Sequence, residues 1–162
     1  MFILFCGYTA RLTVALILGG AIIALSMAFL APLLNAETYP AGEGIYELLN
    51  RICHQQFERV FFINGHPTAL CARCVGGYLG IAIIGTLSVF FASRLDDITR
   101  NFPFYGTGAT LLLIAVIEAI ISVNDGQTFR FFSGLSGGLG IGLMFYSLNI
   151  KFKSRRLQSE TV

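Results

Sequence analysis

The sequence predicts an all-α integral membrane protein with four transmembrane helices, both termini on the cytoplasmic side and one sizeable loop outside. Three observations carry that expectation. Of the 162 residues, 55% are hydrophobic and only 12% charged, and a soluble domain carries about twice that share of charge. Four apolar segments, about 12–34, 75–92, 106–123 and 131–150, each approach the roughly 20 residues a helix needs to cross hydrocarbon. Lys and Arg also divide unevenly: Arg11, Arg94, Arg100, Lys151, Lys153, Arg155 and Arg156 would lie on one side, and Arg51, Arg59, Arg73 and Arg130 on the other. Seven against four places both termini in the cytoplasm and the loop 35–73 on the outer face of the cell membrane.

The whole chain, 1–162, reads as one membrane domain. Its net charge of +2 is small and spread over loop ends. That excludes a nucleic-acid partner, which would need clustered Lys and Arg. The partner the composition implies is the lipid bilayer.

Residues 1–10 with Cys6 precede the first span. The apolar run after Arg11 is too long for a secretory signal core and lacks a following Ala-x-Ala site, so it reads as an uncleaved anchor. Gly20, Ala24 and Ala28 form a small-residue stripe on this span that lets another helix approach. In the outer loop, Ile45, Leu48, Leu49 and Ile52 share one helical face, with Glu43, Glu47, Asn50 and Arg51 opposite. This is an amphipathic interfacial helix over 43–52. If it continued through Cys53, then Cys53 would share the apolar face while His54 pointed about 100° away. Either the helix breaks at Cys53, or only one of the pair is a ligand.

Residues 57–70 read as a loop with turn residues at Asn64, Gly65 and Pro67. His66 beside that turn reads as a solvated histidine first and a ligand second, and Arg59 as a surface charge. Cys71 and Cys74 bracket Ala72-Arg73 at the N-terminus of the second span, where free N–H groups favour thiolate. Gly76 and Gly80 let this helix end pack tightly, and Tyr78 sits at interface depth. Arg94, Asp96, Asp97 and Arg100 form a cytoplasmic turn. In the third span Glu118 is an ionisable group within hydrocarbon, about 7 Å from the outer surface at helical rise, with Arg73 and Arg130 as its expected partners. The last span repeats Gly134, Gly138 and Gly142 at four-residue spacing, a close-packing face for the bundle, for another subunit or for a second copy. A three-span alternative survives because the second segment is short and the fourth glycine-rich. Lys151 to Arg156 mark the cytoplasmic edge, and the tail beyond is expected to be unstructured.

Cys53-His54-Gln55, Arg59, Phe61, Gly65 and Cys71-x-Arg73-Cys74-x-Gly76-x-Tyr78-x-Gly80 together resemble the signature of small prokaryotic membrane proteins grouped as domain of unknown function 2085. Arg130-x-x-Ser133-Gly134 resembles that family's final span, while Phe57 and Val60 depart from its pattern. The resemblance implies importance for Cys53, His54, Arg59, Cys71, Arg73 and Cys74, and names no reaction.

Three functions fit these residues. Cys53, Cys71 and Cys74 with one histidine supply the four N/S ligands of a structural zinc site, and three thiolates also suit copper(I). The resemblance favours His54 as the fourth ligand, helix geometry counts against it, and His66 is the reserve. A membrane thiol-disulfide oxidoreductase would use Cys71 and Cys74, resolved by Cys53 and serving a quinone, in the layout of membrane oxidases; the absence of a second outer pair weakens it. An accessory subunit is compatible with the zinc site, and a small transporter would rest on Glu118 alone.

Overall fold

The computed structural model describes residues 2–36, 41–90, 104–121 and 126–159. Five helices and one hairpin follow in order: α1 (Phe2–Ala36), α2 (Ala41–Asn50), β1 (Val60–Ile63), β2 (His66–Cys71), α3 (Ala72–Phe90), α4 (Phe104–Ile121) and α5 (Gln127–Ser159). Three stretches, Leu12–Leu34, Ala72–Phe90 and Gln127–Leu148, are long and apolar enough to cross a membrane. The apolar run Tyr105–Ile121 in α4 is slightly shorter. Large apolar side chains cover the outside of the helices, with Phe90 76% and Ile120 71% exposed, as lipid-facing residues must be.

Helices α3 and α5 make the most extensive interface, α4 packs on α5, and α1 packs on α3. The α3–α5 contact is backbone on backbone. A methyl group at Gly134 would overlap the Arg73 carbonyl, one at Gly138 the Gly77 carbonyl, and one at Gly76 the Phe131 carbonyl. A methyl at Gly80 would lie 2.6 Å from the Leu139 nitrogen, and one at Gly142 2.8 Å from Ile84 Cβ. Between apolar helices in lipid, association draws on close van der Waals packing, and glycine permits the closest approach. The Gly134, Gly138 and Gly142 face is therefore spent inside the bundle. Of the alternatives expected for this face, packing within the bundle is the one these contacts show.

A correction concerns residues 57–70, expected as a loop. A short 3-10 turn, Phe57–Arg59, leads instead into an antiparallel β1–β2 hairpin pairing Val60 with Cys71 and Ile63 with His66. Asn64 and Gly65 both have positive φ, 51° and 84°, the conformation of the tight turn that matches the strand twist. A register irregularity between Val60 and Phe62 removes a ladder bond, and Thr68 replaces it. Its hydroxyl accepts from the Phe61 N–H at 3.1 Å and donates to the Leu70 carbonyl at 2.9 Å. Val60, Thr68, Ala69 and Leu70 are all buried, and α1 covers them through β2.

Helix α2 starts and ends two residues before the expected bounds, and a turn at Arg51 and Ile52 follows it. Its expected apolar face divides. Leu49 is buried with Ala28, Ala31 and Leu70 and Ile45 packs against them, whereas Leu48 and Ile52 stay exposed. Helix α5 continues to Ser159, where the tail after Arg156 was expected to be unstructured. The turn with Arg94, Asp96, Asp97 and Arg100 lies outside the described residues.

Replacing Gly138 with Ala sets a methyl against a carbonyl that no rotamer change can move. A loss of about 1–3 kcal/mol is expected, read as earlier unfolding in detergent titrations monitored by circular dichroism. Thr68→Val strands the Phe61 N–H and should cost about 1–3 kcal/mol. Hydrogen exchange should accelerate at the Phe61 amide while amides in α3 and α5 stay protected.

Candidate metal centre

Three chain segments meet beneath the cap. Cys53 follows the turn that ends α2, Cys71 is the last residue of β2, and Cys74 is the third residue of α3. All three are free thiols, and their sulfur atoms lie within 4.8 Å of one another. Three thiolates around one zinc ion at about 2.3 Å sit roughly 3.8 Å apart, so the cluster needs only a small contraction to bind. Cys53 is 4% exposed, and Cys71 and Cys74 are half-buried.

The cluster is built because α2 breaks where it does. Backbone N–H groups of Ile52 and Cys53 both donate to the Leu49 carbonyl, at 3.1 and 3.0 Å, and release the chain. Gln55 then takes a positive φ of 44°, and its side-chain amide donates to the Tyr46 carbonyl at 2.8 Å. The Tyr46 hydroxyl in turn donates to the Pro67 carbonyl. These contacts lock the segment after Cys53 to α2 and α2 to the hairpin.

Hydrogen bonds to sulfur prepare the site for negative charge. The Cys71 N–H donates to Cys53 Sγ at 3.2 Å. A second backbone donor to Cys53 comes from Gln55, and Cys74 gives one to Cys71. The Cys53 thiol is held well below its ordinary range, first by the hydrogen bond from the Cys71 thiol and then by that from Cys74, against an opposing desolvation. Cys71 moves the other way: it gives its proton to the bond with Cys53, and burial beside that charge raises it further. In the apo cluster negative charge is thus favoured on Cys53 and disfavoured on Cys71. A divalent cation would reverse the second effect, because a coordinated thiol is deprotonated outright.

Among the described residues the sulfur cluster includes neither histidine. His54 is exposed beside Cys53. His66 sits at the hairpin tip, five positions along β2 from Cys71, about 16 Å at strand rise, and so cannot share an ion with it. Arg59 closes the 3-10 turn, its N–H donating to the Gln56 carbonyl at 2.8 Å. Arg73 lies between the cysteines with its Nε buried and unpartnered among the described residues. Arg130 is buried and Glu118 half-buried, and each is engaged in an interaction. Cys6 falls within α1, away from the described cluster in sequence.

Sequence reasoning missed Tyr46, and it named Gln55 only within the Cys53-His54-Gln55 signature without its role of tying the segment after Cys53 to α2. No spacing rule marks either role. The hairpin did leave a signal, since Asn64-Gly65 lies between the apolar runs Val60–Ile63 and 68–70, the pattern of a two-residue turn.

The family model described as predicted membrane protein (DUF2085) matches residues 53–144, from Cys53 into α5. An uncharacterized protein of Methanocaldococcus jannaschii is 34% identical over 120 residues, covering 67% of this chain and 69% of that one. An uncharacterized protein of Methanothermobacter thermautotrophicus is 33% identical over 104 residues, covering 57% of this chain and 83% of the relative. No solved structure matches the chain. With more than half its length matched, including all three clustered cysteines, this protein belongs to the DUF2085 family of membrane proteins.

Proposed function

We propose that this protein is a four-span cell-membrane protein whose outer cap is clamped to the helix bundle by a zinc ion, and that it acts as an accessory or interaction subunit. The observation that carries the reading is the convergence of Cys53, Cys71 and Cys74 within 4.8 Å, with backbone N–H groups directed at sulfur. Three soft ligands suit zinc or copper(I), and a fourth nitrogen ligand favours zinc. His54 is the proposed fourth ligand because it adjoins Cys53 and its ring can turn toward the cluster from solvent. Both termini are proposed inside, from the Lys and Arg distribution.

A structural role follows from where the ligands come from. Cys53 and Cys71 are 18 positions apart, and the chain between them forms the hairpin. One ion on both would close that loop and join it to the first turn of α3. Metal affinity would then be folding free energy for the cap. Burial of Cys53 opposes a thiol-exchange role in which it resolves a mixed disulfide, because a resolving thiol must be reached.

Elemental analysis of protein purified without reductant should give about one zinc per chain, with three thiols released on chelation. Cys71→Ser should lose the metal and loosen the hairpin, seen as protease cleavage near Asn64. His54→Gln should keep three sulfur ligands by X-ray absorption and bind zinc more weakly by at least the roughly 10–100-fold that loss of an outer-shell partner alone causes. A metal-free protein with a Cys71–Cys74 disulfide would overturn the zinc reading in favour of redox exchange with a quinone or thiol partner. The raised Cys71 thiol sets the pH dependence. Below its pKa each displaced proton costs affinity, so apparent zinc affinity should fall about tenfold per pH unit per proton on acidification. Competition with a chelator at pH 6 and pH 8 measures it, and a flat response would exclude a protonated Cys71 in the apo site.

A further inference from the structure

We propose that the groove between α3, α4 and α5 binds a membrane lipid with an anionic headgroup, which Arg73 and Ser133 hold at its outer end. The groove encloses about 240 Å³, and its lining includes Arg73, Gly77, Ile81, Ala119, Ser133 and Ile141. Two of its polar groups are left over. Arg73 Nε and Ser133 Oγ are both buried and meet no hydrogen-bond partner among the described residues, and Ser133 as a whole is only 2% exposed.

An orphan donor on a cation is costly in low dielectric, more so than an orphan hydroxyl. Here the cost is compounded, because the surrounding helix faces meet lipid and no bulk water reaches them. Both orphans donate hydrogen bonds, and one carries a full positive charge, so an anionic oxygen complements them. Their position gives the ligand a direction. Arg73 and Ser133 lie near the starts of α3 and α5, while Ile81 and Ile141 lie eight residues further along each helix, about 12 Å at helical rise. The groove is thus polar at the end nearest the cysteines and apolar along the rest, and its volume fits a headgroup with the first few methylenes of a chain. Glycine and alanine walls leave room where larger side chains would fill it. This site uses none of the cysteines and stands independently of the zinc reading.

Native mass spectrometry of the full metal-loaded chain, released from maltoside micelles, tests the proposal with four probes: dodecyl phosphate, dodecanoate, dodecylphosphocholine and inorganic phosphate. The two anionic amphiphiles should be retained at one per chain, at least about tenfold more tightly than the zwitterion, whose quaternary ammonium offsets the charge of its phosphate and is repelled by Arg73 in a low-dielectric groove. Arg73→Gln should abolish that preference, Ser133→Ala should weaken retention by roughly threefold to tenfold, and Ala119→Leu should block the chain by filling the groove. Ser133→Ala and Ala119→Leu leave Arg73 and every cysteine in place, so they decide the matter if Arg73→Gln does not fold. Equal retention of zwitterion and anions, equal retention by Ser133→Ala and Ala119→Leu, or inorganic phosphate binding as tightly as dodecyl phosphate would each overturn it.

Discussion

The closest constraint in the molecule is the approach of α3 to α5, where glycines at 76, 80, 134 and 138 let carbonyl and nitrogen atoms of one backbone touch the other. In lipid no hydrophobic gain drives two apolar helices together, so contact itself must supply the attraction. Because Gly134 closes on the carbonyl of Arg73, the crossing falls at the very start of α3. It therefore fixes Cys74 and Arg73 beside it at once. The cysteine cluster and the groove both take part of their geometry from this contact.

The cap is held by different physics. Val60, Ala69 and Leu70 bury apolar surface against α1, with Ala28 and Ala31 offering a flat alanine face. Burial of side chains the size of Val or Leu contributes about 1.5–3 kcal/mol each. Polar contacts then set direction: Thr68 repairs the irregular ladder, Tyr46 ties α2 to Pro67, and Gln55 ties the segment after Cys53 to α2. Cys53 ends up beneath the hairpin because each of these bonds is satisfied only in that arrangement.

Charge at the sulfur cluster is shared unequally. One thiolate is welcomed by N–H and S–H donors, and a second beside it is repelled and desolvated. Such a cluster suits an ion that arrives with positive charge and displaces protons. Arg73, two residues from Cys71, has its Nε buried without a partner among the described residues, and the residue is part of the groove lining.

The membrane class, with three of the four expected spans long and apolar enough among the described residues, and the grouping of Cys53 with Cys71 and Cys74 were legible because hydropathy, length and cysteine spacing are local properties of the chain. The small-residue faces were legible as well, but their partner was not: Gly134 and Gly138 can close on any backbone, and only assembly showed that α3 occupies them. Residues 57–70 were read as a loop on their turn residues Asn64, Gly65 and Pro67; the strands on either side pair irregularly, with Thr68 of the facing strand accepting from the Phe61 N–H. His66 stood in sequence as the reserve to His54; the hairpin sets it apart, since an extended strand moves a residue about 3.3 Å per step from Cys71. Sequence by itself determined the solvent this protein lives in and the ligands it brings to one surface. Tertiary structure alone decided how near those ligands come, which glycines are spent within the bundle, and where two polar groups are left facing an apolar groove, because each depends on distances between segments that no local pattern encodes.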